Sequence, residues 1–233
     1  MKVILNVLCE GQTEERFANK VLKDYLKDIG IIVKAQILTT NKKKNCKGGM
    51  LNYEQVKKDL STWMKQCKST TNEKHYYTTM FDLYALPTDF PCYAKASKTS
   101  DCYERIQILE RSFANDINNC NFIPYIQIHE FEALVFCGLE YLLIDYPDMG
   151  KQIETLKKVV ETEYSNNPEL INMSPETAPS RRIIKEFEKH HHYNKPKSGE
   201  LVTSKVGIDA LKEKCKHFKE WVEKLENIVS PLC

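Results

Sequence analysis

The sequence predicts an α/β fold, in which a mostly parallel central sheet is flanked by helices and continued by a mainly helical C-terminal extension. Two observations carry this expectation. β-prone apolar runs at 3–9, 31–38, 76–82 and 122–128 alternate with segments whose apolar residues recur at helical spacing. Strands separated by helices need crossover connections, which make neighbouring strands parallel and cover both faces of the sheet. Past that point the strand signal stops and helical periodicity continues. Residues 1–135 therefore read as the α/β core and 136–233 as a helical extension packed on it in one compact unit.

The elements follow in order. The run 3-VILNVLC-9 is continuous and β-prone, and 13-TEERFANKVLKDYLKDIG-30 places Phe17, Val21, Leu22, Tyr25, Leu26 and Ile29 on one helical stripe. Thr13 suits the N-cap of that helix and Gly30 its stop before a second strand at 31–38. The lysine-rich 41–49 reads as a loop, Tyr53 to Cys67 as a helix and 76-YYTTMFD-82 as a third strand. With Pro87 and Pro91, the interval from Leu83 to Ser100 should be irregular, and 103–117 is the next amphipathic helix. In the fourth strand, 122-FIPYIQI-128, Pro124 favours an edge or a strand start. Helices are expected from about His129, over Lys151 to Tyr164, and up to Glu188, with a loop at 165–180. A link at 189–200 precedes two final helices, Ser204 to Lys214 and His217 to Ile228.

Composition excludes more than it selects. With 34 Lys and Arg against 32 Asp and Glu the net charge is +2, so no long-range field draws the chain to nucleic acid or an anionic membrane, and any such site must be local. The N-terminal apolar run meets Glu10 too early for a signal peptide or a span, which predicts a soluble cytoplasmic protein with no membrane association. In that reducing setting the nine Cys need no bridges, and the Cys92 to Cys102 spacing resembles no compact zinc knuckle.

Carboxylates stand where a parallel sheet binds ligands. Glu10 follows the first strand and Asp82 ends the third; if these strands are neighbours, both reach one edge, and Glu14 can face the same crevice from the start of the helix. Convergent carboxylates suit a hard divalent ion such as Mg²⁺ beside a phosphodiester. Glu14 and Glu15 are equally at home at a helix start, and Asp82 at a turn. Gly11 alone is no phosphate-binding signature, and neither a P-loop nor a dinucleotide fingerprint is present. In 127-QIHEFEALVF-136, Glu130 and Glu132 point about 200 degrees apart on a helix but share a face on a strand. On a helix His129 shares a face with Glu132, which leaves metal coordination, proton transfer or simple capping open.

The boxes 8-LCEGQTEE-15, 81-FDLYALPTDFP-91, 127-QIHEFEALVF-136 and 166-NNPELINMSPETAPSRRI-183 together resemble a family of bacterial proteins with a Toprim-like fold, distantly related to nucleases of the overcoming-lysogenization-defect type. The resemblance implies acidic residues that use Mg²⁺ or Mn²⁺ at phosphodiesters. It places Glu10 at the glutamate after strand one, Glu14 at the second acid of an EGxTE form, and Asp82 first in an aspartate pair. Tyr84 occupies the second position of that pair, so Asp89, Glu130 or Glu132 would have to supply a further oxygen. The implied activity is metal-dependent hydrolysis of DNA or RNA, in bacterial defence and with an ATPase partner; a noncatalytic nucleotide-binding or regulatory module is the alternative.

Basic residues provide the remaining candidates. Lys205 can supply positive charge near the reacting phosphate if its helix folds back over the crevice, or an ordinary surface salt bridge. Arg181 and Arg182, two of only five arginines, stand near a helix start and can grip phosphate or pair with an acidic loop. Lys42, Lys43, Lys44 and Lys47 can touch a nucleic-acid backbone without reading bases, or simply face water. The amphipathic C-terminal helices leave room for a homodimer.

Overall fold

The computed structural model describes residues 1–41, 46–47, 49–171 and 177–229. Its main sheet has the order β2-β1-β5-β6, with β7 beside β5 beyond β6, and all of these pairs are parallel. The strands are β1 (Lys2–Cys9), β2 (Ile31–Ile37), β5 (Glu73–Asp82), β6 (Phe122–Ile123) and β7 (Ile126–Gln127). A separate antiparallel pair, β3 (Thr39–Asn41) with β4 (Cys46–Lys47), forms inside the stretch read from sequence as a lysine-rich loop.

Alternation along the strands divides the interior in two. Val3, Leu5, Val7 and Cys9 of β1 face one core with Met80 of β5, whereas Leu8, Tyr77 and Phe81 face the other. The second core is closed by α3 (Tyr53–Gln66) and α5 (Cys102–Ile117), through Val56, Leu60 and Trp63 and through Ile106, Leu109 and Phe113. Side chains of Asn52 and Asp101 cap these two helices, accepting from Gln55 N at 2.9 Å and Glu104 N at 2.8 Å. Between them lie a 3₁₀ turn, Leu83–Ala85, and the short α4 (Tyr93–Ala96).

The first core holds the helix after β1, which runs as α1 (Gln12–Phe17), a π-helical turn (Ala18–Leu22) and α2 (Lys23–Lys27). Gly11, not Thr13, is its N-cap: the Glu14 carboxylate reaches back to accept Gly11 N at 2.9 Å, which draws the helix start to Gln12 and buries Thr13 inside the first turn. Onto it pack α6 (Glu132–Val135), the 3₁₀ stretch Phe136–Ile144, α7 (Gly150–Glu163), α8 (Pro179–Phe187), α9 (Lys195–Val206), α10 (Ile208–Lys214) and α11 (Lys216–Glu226). Phe17 meets Phe131 and Phe218 edge-on at 5.6 and 6.0 Å between ring centres.

Three local expectations give way to specific interactions. The strand read over 122–128 is split into β6 and β7 because Pro124 has no N–H to donate; Thr79 bridges the gap, its hydroxyl lying 2.9 Å from Tyr125 O and 3.0 Å from Tyr125 N. No helix starts at His129, whose φ of 63° is left-handed. That segment is tied to the end of β5 instead, by Phe131 N donating to Asp82 Oδ1 at 2.9 Å and Tyr84 N donating to His129 O at 3.2 Å. The link read over 189–200 is half helix, since Asn194 caps α9 by accepting Lys197 N at 3.1 Å and Pro196 fits the first turn. At Gly207 the φ of 78° ends α9 and starts α10.

A buried polar network fastens α11 to the sheet. Glu169, fully buried, accepts His217 N and Phe218 N at 3.0 Å each and so caps α11, while Tyr103 donates its hydroxyl to the same carboxylate at 3.0 Å. Glu110 accepts Ile126 N at 2.9 Å and lies 3.0 Å from His217 Nε2. Trp221 stacks on Tyr125 at 4.2 Å and donates to Thr78 Oγ1 at 2.9 Å. Burial alone would lower the His217 pKa, but Glu110 at hydrogen-bond distance raises it on balance. That contribution to stability is complete below the unfolded histidine value, near 6.5, and is lost as pH rises through the raised folded value. Glu110→Gln is expected to cost about 3–5 kcal/mol, as for breaking a buried pair. Denaturant titration should find a larger loss at pH 6 than at pH 9; equal losses would mean that His217 carries no charge in the fold.

Candidate functional site

The chain leaves β1 toward β2 on one side and returns to β5 on the other, so the carboxyl ends of β1 and β5 form the switch point where open α/β sheets bind ligands. Glu10 and Asp82 stand there. Glu10 N extends the ladder by donating to Met80 O at 3.1 Å, and Glu10 Oε2 accepts Asp82 N at 3.0 Å. Asp82 holds Phe131 N, which brings Glu130 and Glu132 alongside. Glu14 comes in from α1, fixed by its bond to Gly11 N, and Glu130 Oε2 accepts Ser180 N at the start of α8 at 3.0 Å.

Five carboxylates thus crowd one end of the sheet, and the proton affinities of Glu10, Glu14, Asp82 and Glu132 record it. Burial, then repulsion from Glu14, pushes Glu10 up to about 8. Burial also comes first for Asp82, followed by repulsion from Glu10, Glu14, Glu132 and Glu130, and its carboxyl is held well above the usual range. Glu14 is raised by burial. Glu132, 2% exposed, is pushed up to about 7 by burial, with Lys195 opposing. Lys195 Nζ lies 3.6 Å from Glu132 Oε1, an oxygen with no hydrogen-bond partner among the described residues.

Lys195 escapes the sequence reading, which left it in a link. The signal was present in 194-NKP-196, a side-chain cap followed by a first-turn proline. Its position depends on Gly199, one turn further along α9. A Cβ there would meet Thr13 Cγ2 at 2.8 Å and Phe131 Cε1 at 2.9 Å, so only glycine lets α9 lie this close to α1 and α6.

Other candidates fall elsewhere. The Asp89 carboxylate accepts Tyr53 N at 3.0 and 3.1 Å at the start of α3. Lys205 is exposed in the last turn of α9, about 15 Å along the helix from Lys195. Arg182 turns back to Thr177 O and the Tyr164 hydroxyl, both at 2.9 Å, while Arg181 is exposed. The ring of His129 stacks on Tyr84 at 5.4 Å; burial, then Arg105, lowers its pKa to about 4. Lys42, Lys43 and Lys44 lie outside the described residues, and Lys47 is placed only as backbone in β4.

The donor chemistry fits a hard divalent cation. All five groups offer oxygen, and Glu10, Glu14, Asp82 and Glu130 each commit one oxygen to a backbone amide and keep a second. Lys195 balances only part of the charge of the ionised cluster. As the side chains stand, no group of three or more His, Cys, Asp or Glu among the described residues is arranged to hold a metal ion.

A domain family described as a domain of unknown function, DUF4276, matches residues 9–226. No curated protein matches the chain. Among solved structures, the chain is similar to the C-terminal region of the Xanthomonas campestris pv. campestris OLD protein phased with mercury, at 16% identity and a TM-score of 0.44, over 97% of this chain and 96% of that one. The same region phased with platinum gives 15% identity and a TM-score of 0.43, over 97% and 93%. Among the described residues no helix is long and apolar enough to cross a membrane.

Raised carboxyl pKa values set the sign of the pH dependence. Between the ordinary value of 4.5 and about 8 for Glu10 the folded chain holds more protons than the unfolded one, so this group's effect on stability worsens as pH rises through that window. Glu10→Gln keeps an acceptor for Asp82 N and removes the charge. Its melting temperature should exceed that of the parent at pH 8 and match it at pH 4, on a scale of about 2–4 °C per kcal/mol for a chain of this size. A variant less stable than the parent at pH 8 would show that the Glu10 charge is not strained in the fold.

Proposed function

We propose that this chain, which belongs to the DUF4276 family, is a metal-dependent phosphodiesterase that hydrolyses nucleic acid at the carboxyl ends of β1 and β5. The observation that carries the reading is the convergence of Glu10, Glu14, Asp82, Glu130 and Glu132 on one crevice, where loss of solvent raises the proton affinities of Glu10, Glu14, Asp82 and Glu132 and repulsion from neighbouring carboxylates raises those of Glu10, Asp82 and Glu132 further. Such a cluster is stabilised by a cation, and hard oxygen donors select Mg²⁺ or Mn²⁺. When bound, the ion supplies a Lewis acid to the phosphodiester and activates water for attack on phosphorus.

Glu10, Glu14 and Asp82 would hold the ion, with Glu130 and Glu132 adding charge beside them. Their backbone hydrogen bonds fix the carboxylates before any ligand arrives, which limits reorganisation during the reaction. Lys195, tethered to Glu132 and 39% exposed, can turn toward negative charge that develops on the phosphate, the part considered from sequence for Lys205. The resemblance of the EGQTE box to Toprim-like nucleases supports DNA or RNA as substrate. It extends to an ATPase partner in defence, and the amphipathic helices after residue 136 leave a homodimer open to test.

The same hydrogen bonds favour a second reading, a nucleotide-binding or regulatory module. Each carboxylate fastens one segment to another, as capping groups do, and Tyr84 rather than an acid follows Asp82 at the second position of the pair. Incubating the full chain with Mg²⁺ or Mn²⁺ and single- and double-stranded DNA and RNA separates the two. Cleavage is expected, and Glu10→Ala and Asp82→Ala should each lower it about 100-fold or more, equivalent to about 2.7 kcal/mol of barrier, with circular dichroism unchanged. Folded variants that cleave like the parent would reject the assignment; nucleotide binding by calorimetry without product would favour the binding module.

A further inference from the structure

The Asp82–Tyr84 turn has a second neighbour. Leu83, immediately after Asp82, and His129, immediately before Glu130, line a cavity of about 390 Å³ together with Ser100, Cys102 and Arg105. Two nitrogens of the residues that line it are anomalous. Arg105 Nε and His129 Nδ1 are sealed from solvent and have no hydrogen-bond partner among the described residues, although His129 is only 8% exposed. Buried polar groups are nearly always paired, so two orphan nitrogens beside one cavity indicate a missing partner that brings oxygens.

The local charge defines that partner. A guanidinium is a permanent cation whose fork matches phosphate or carboxylate geometry. Asp101, exposed at the start of α5, also borders the cavity with its charge, and its Oδ1 accepts Glu104 N at 2.8 Å. The Ser100 hydroxyl, which is exposed, adds a donor. The imidazole is held in place by the left-handed turn at His129, by Tyr84 N donating to His129 O, and by the stack on Tyr84. The Arg105 guanidinium thus stands across the Asp82–Tyr84 turn from the acidic crevice, an arrangement suited to a ligand that presents phosphate to one and reacts at the other.

We propose that the Arg105–His129 cavity binds a phosphate oxyanion of a nucleotide or nucleic acid. Identification of the ligand as nucleic acid rests on the function proposed above; the anion site itself does not, and it can be measured in chelator-treated protein where no cleavage occurs. The side-chain Nε–H resonance of Arg105 in the full chain, titrated with inorganic phosphate, should shift and saturate. Arg105→Gln should weaken binding about tenfold or more, the loss of a charge-assisted hydrogen bond, while Arg111→Gln on the exposed side of the same helix should leave it unchanged. Should Arg105→Gln fail to fold, Arg105→Lys keeps the charge without the fork and should still bind more weakly.

A short oligodeoxynucleotide with a 5′-phosphate and the same oligomer with a 5′-hydroxyl identify the source. Preference for the first assigns a terminal phosphate; equal shifts assign the backbone. An Arg105 Nε–H resonance unmoved by phosphate and by both oligomers, or folded Arg105 variants that bind like the parent, would overturn the proposal. A saturating shift in a chain that cleaves nothing with Mg²⁺ or Mn²⁺ would keep this site and reject the nuclease reading.

Discussion

The parallel pairing of β1 with β5 is the constraint on which the rest depends. It sets Glu10 beside the end of β5, where its carboxylate accepts Asp82 N, and Asp82 in turn holds Phe131 N. One chain of hydrogen bonds therefore joins two strand ends to the segment that carries Glu130 and Glu132. The same segment takes a left-handed turn at His129 and presents its ring to Tyr84. A one-residue slip between the strands would exchange the faces of β1 and separate the acids.

That placement concentrates negative charge, and the C-terminal helices answer part of it. Lys195 reaches Glu132 because α9 lies against α1, and α9 lies there because Gly199 has no side chain to meet Thr13 and Phe131. Ser180 N, at the start of α8, meets Glu130. The helical half of the chain is thus part of the crevice rather than an addition to it. Its attachment runs through Glu169, which lies in the 166–183 box, and through Glu110 and His217.

Much of this was legible beforehand, and the exceptions have physical causes. The strands and long helices announce themselves through periodicity, and Glu10, Glu14 and Asp82 through their place at strand ends and a helix start. The early part of α9 was missed because 189-KHHHYNKPKSGE-200 is polar and its helix start depends on a cap and a proline rather than on apolar spacing. His129 was read as helical because the apolar pattern of its box continues through it, whereas long-range bonds from Asp82 and Tyr84 decide its backbone. Glu130 and Glu132 lie beside one crevice through a turn followed by a helix, an outcome that neither regular periodicity describes. Arg105 gave no signal at all, since a lone arginine on an amphipathic helix reads as a solvated face.

The central claim is that carboxylates from β1, β5 and the 130–132 segment form one cation site. Anomalous diffraction from crystals of the full chain soaked in Mn²⁺ tests it most directly. The account predicts a single strong peak at the carboxyl ends of β1 and β5, within coordination distance of oxygens from both Glu10 and Asp82. Mn²⁺ bound only elsewhere, with the five carboxylates still hydrogen-bonded as described and no peak between them, would contradict it and leave the cluster as a clasp that holds the strand ends together.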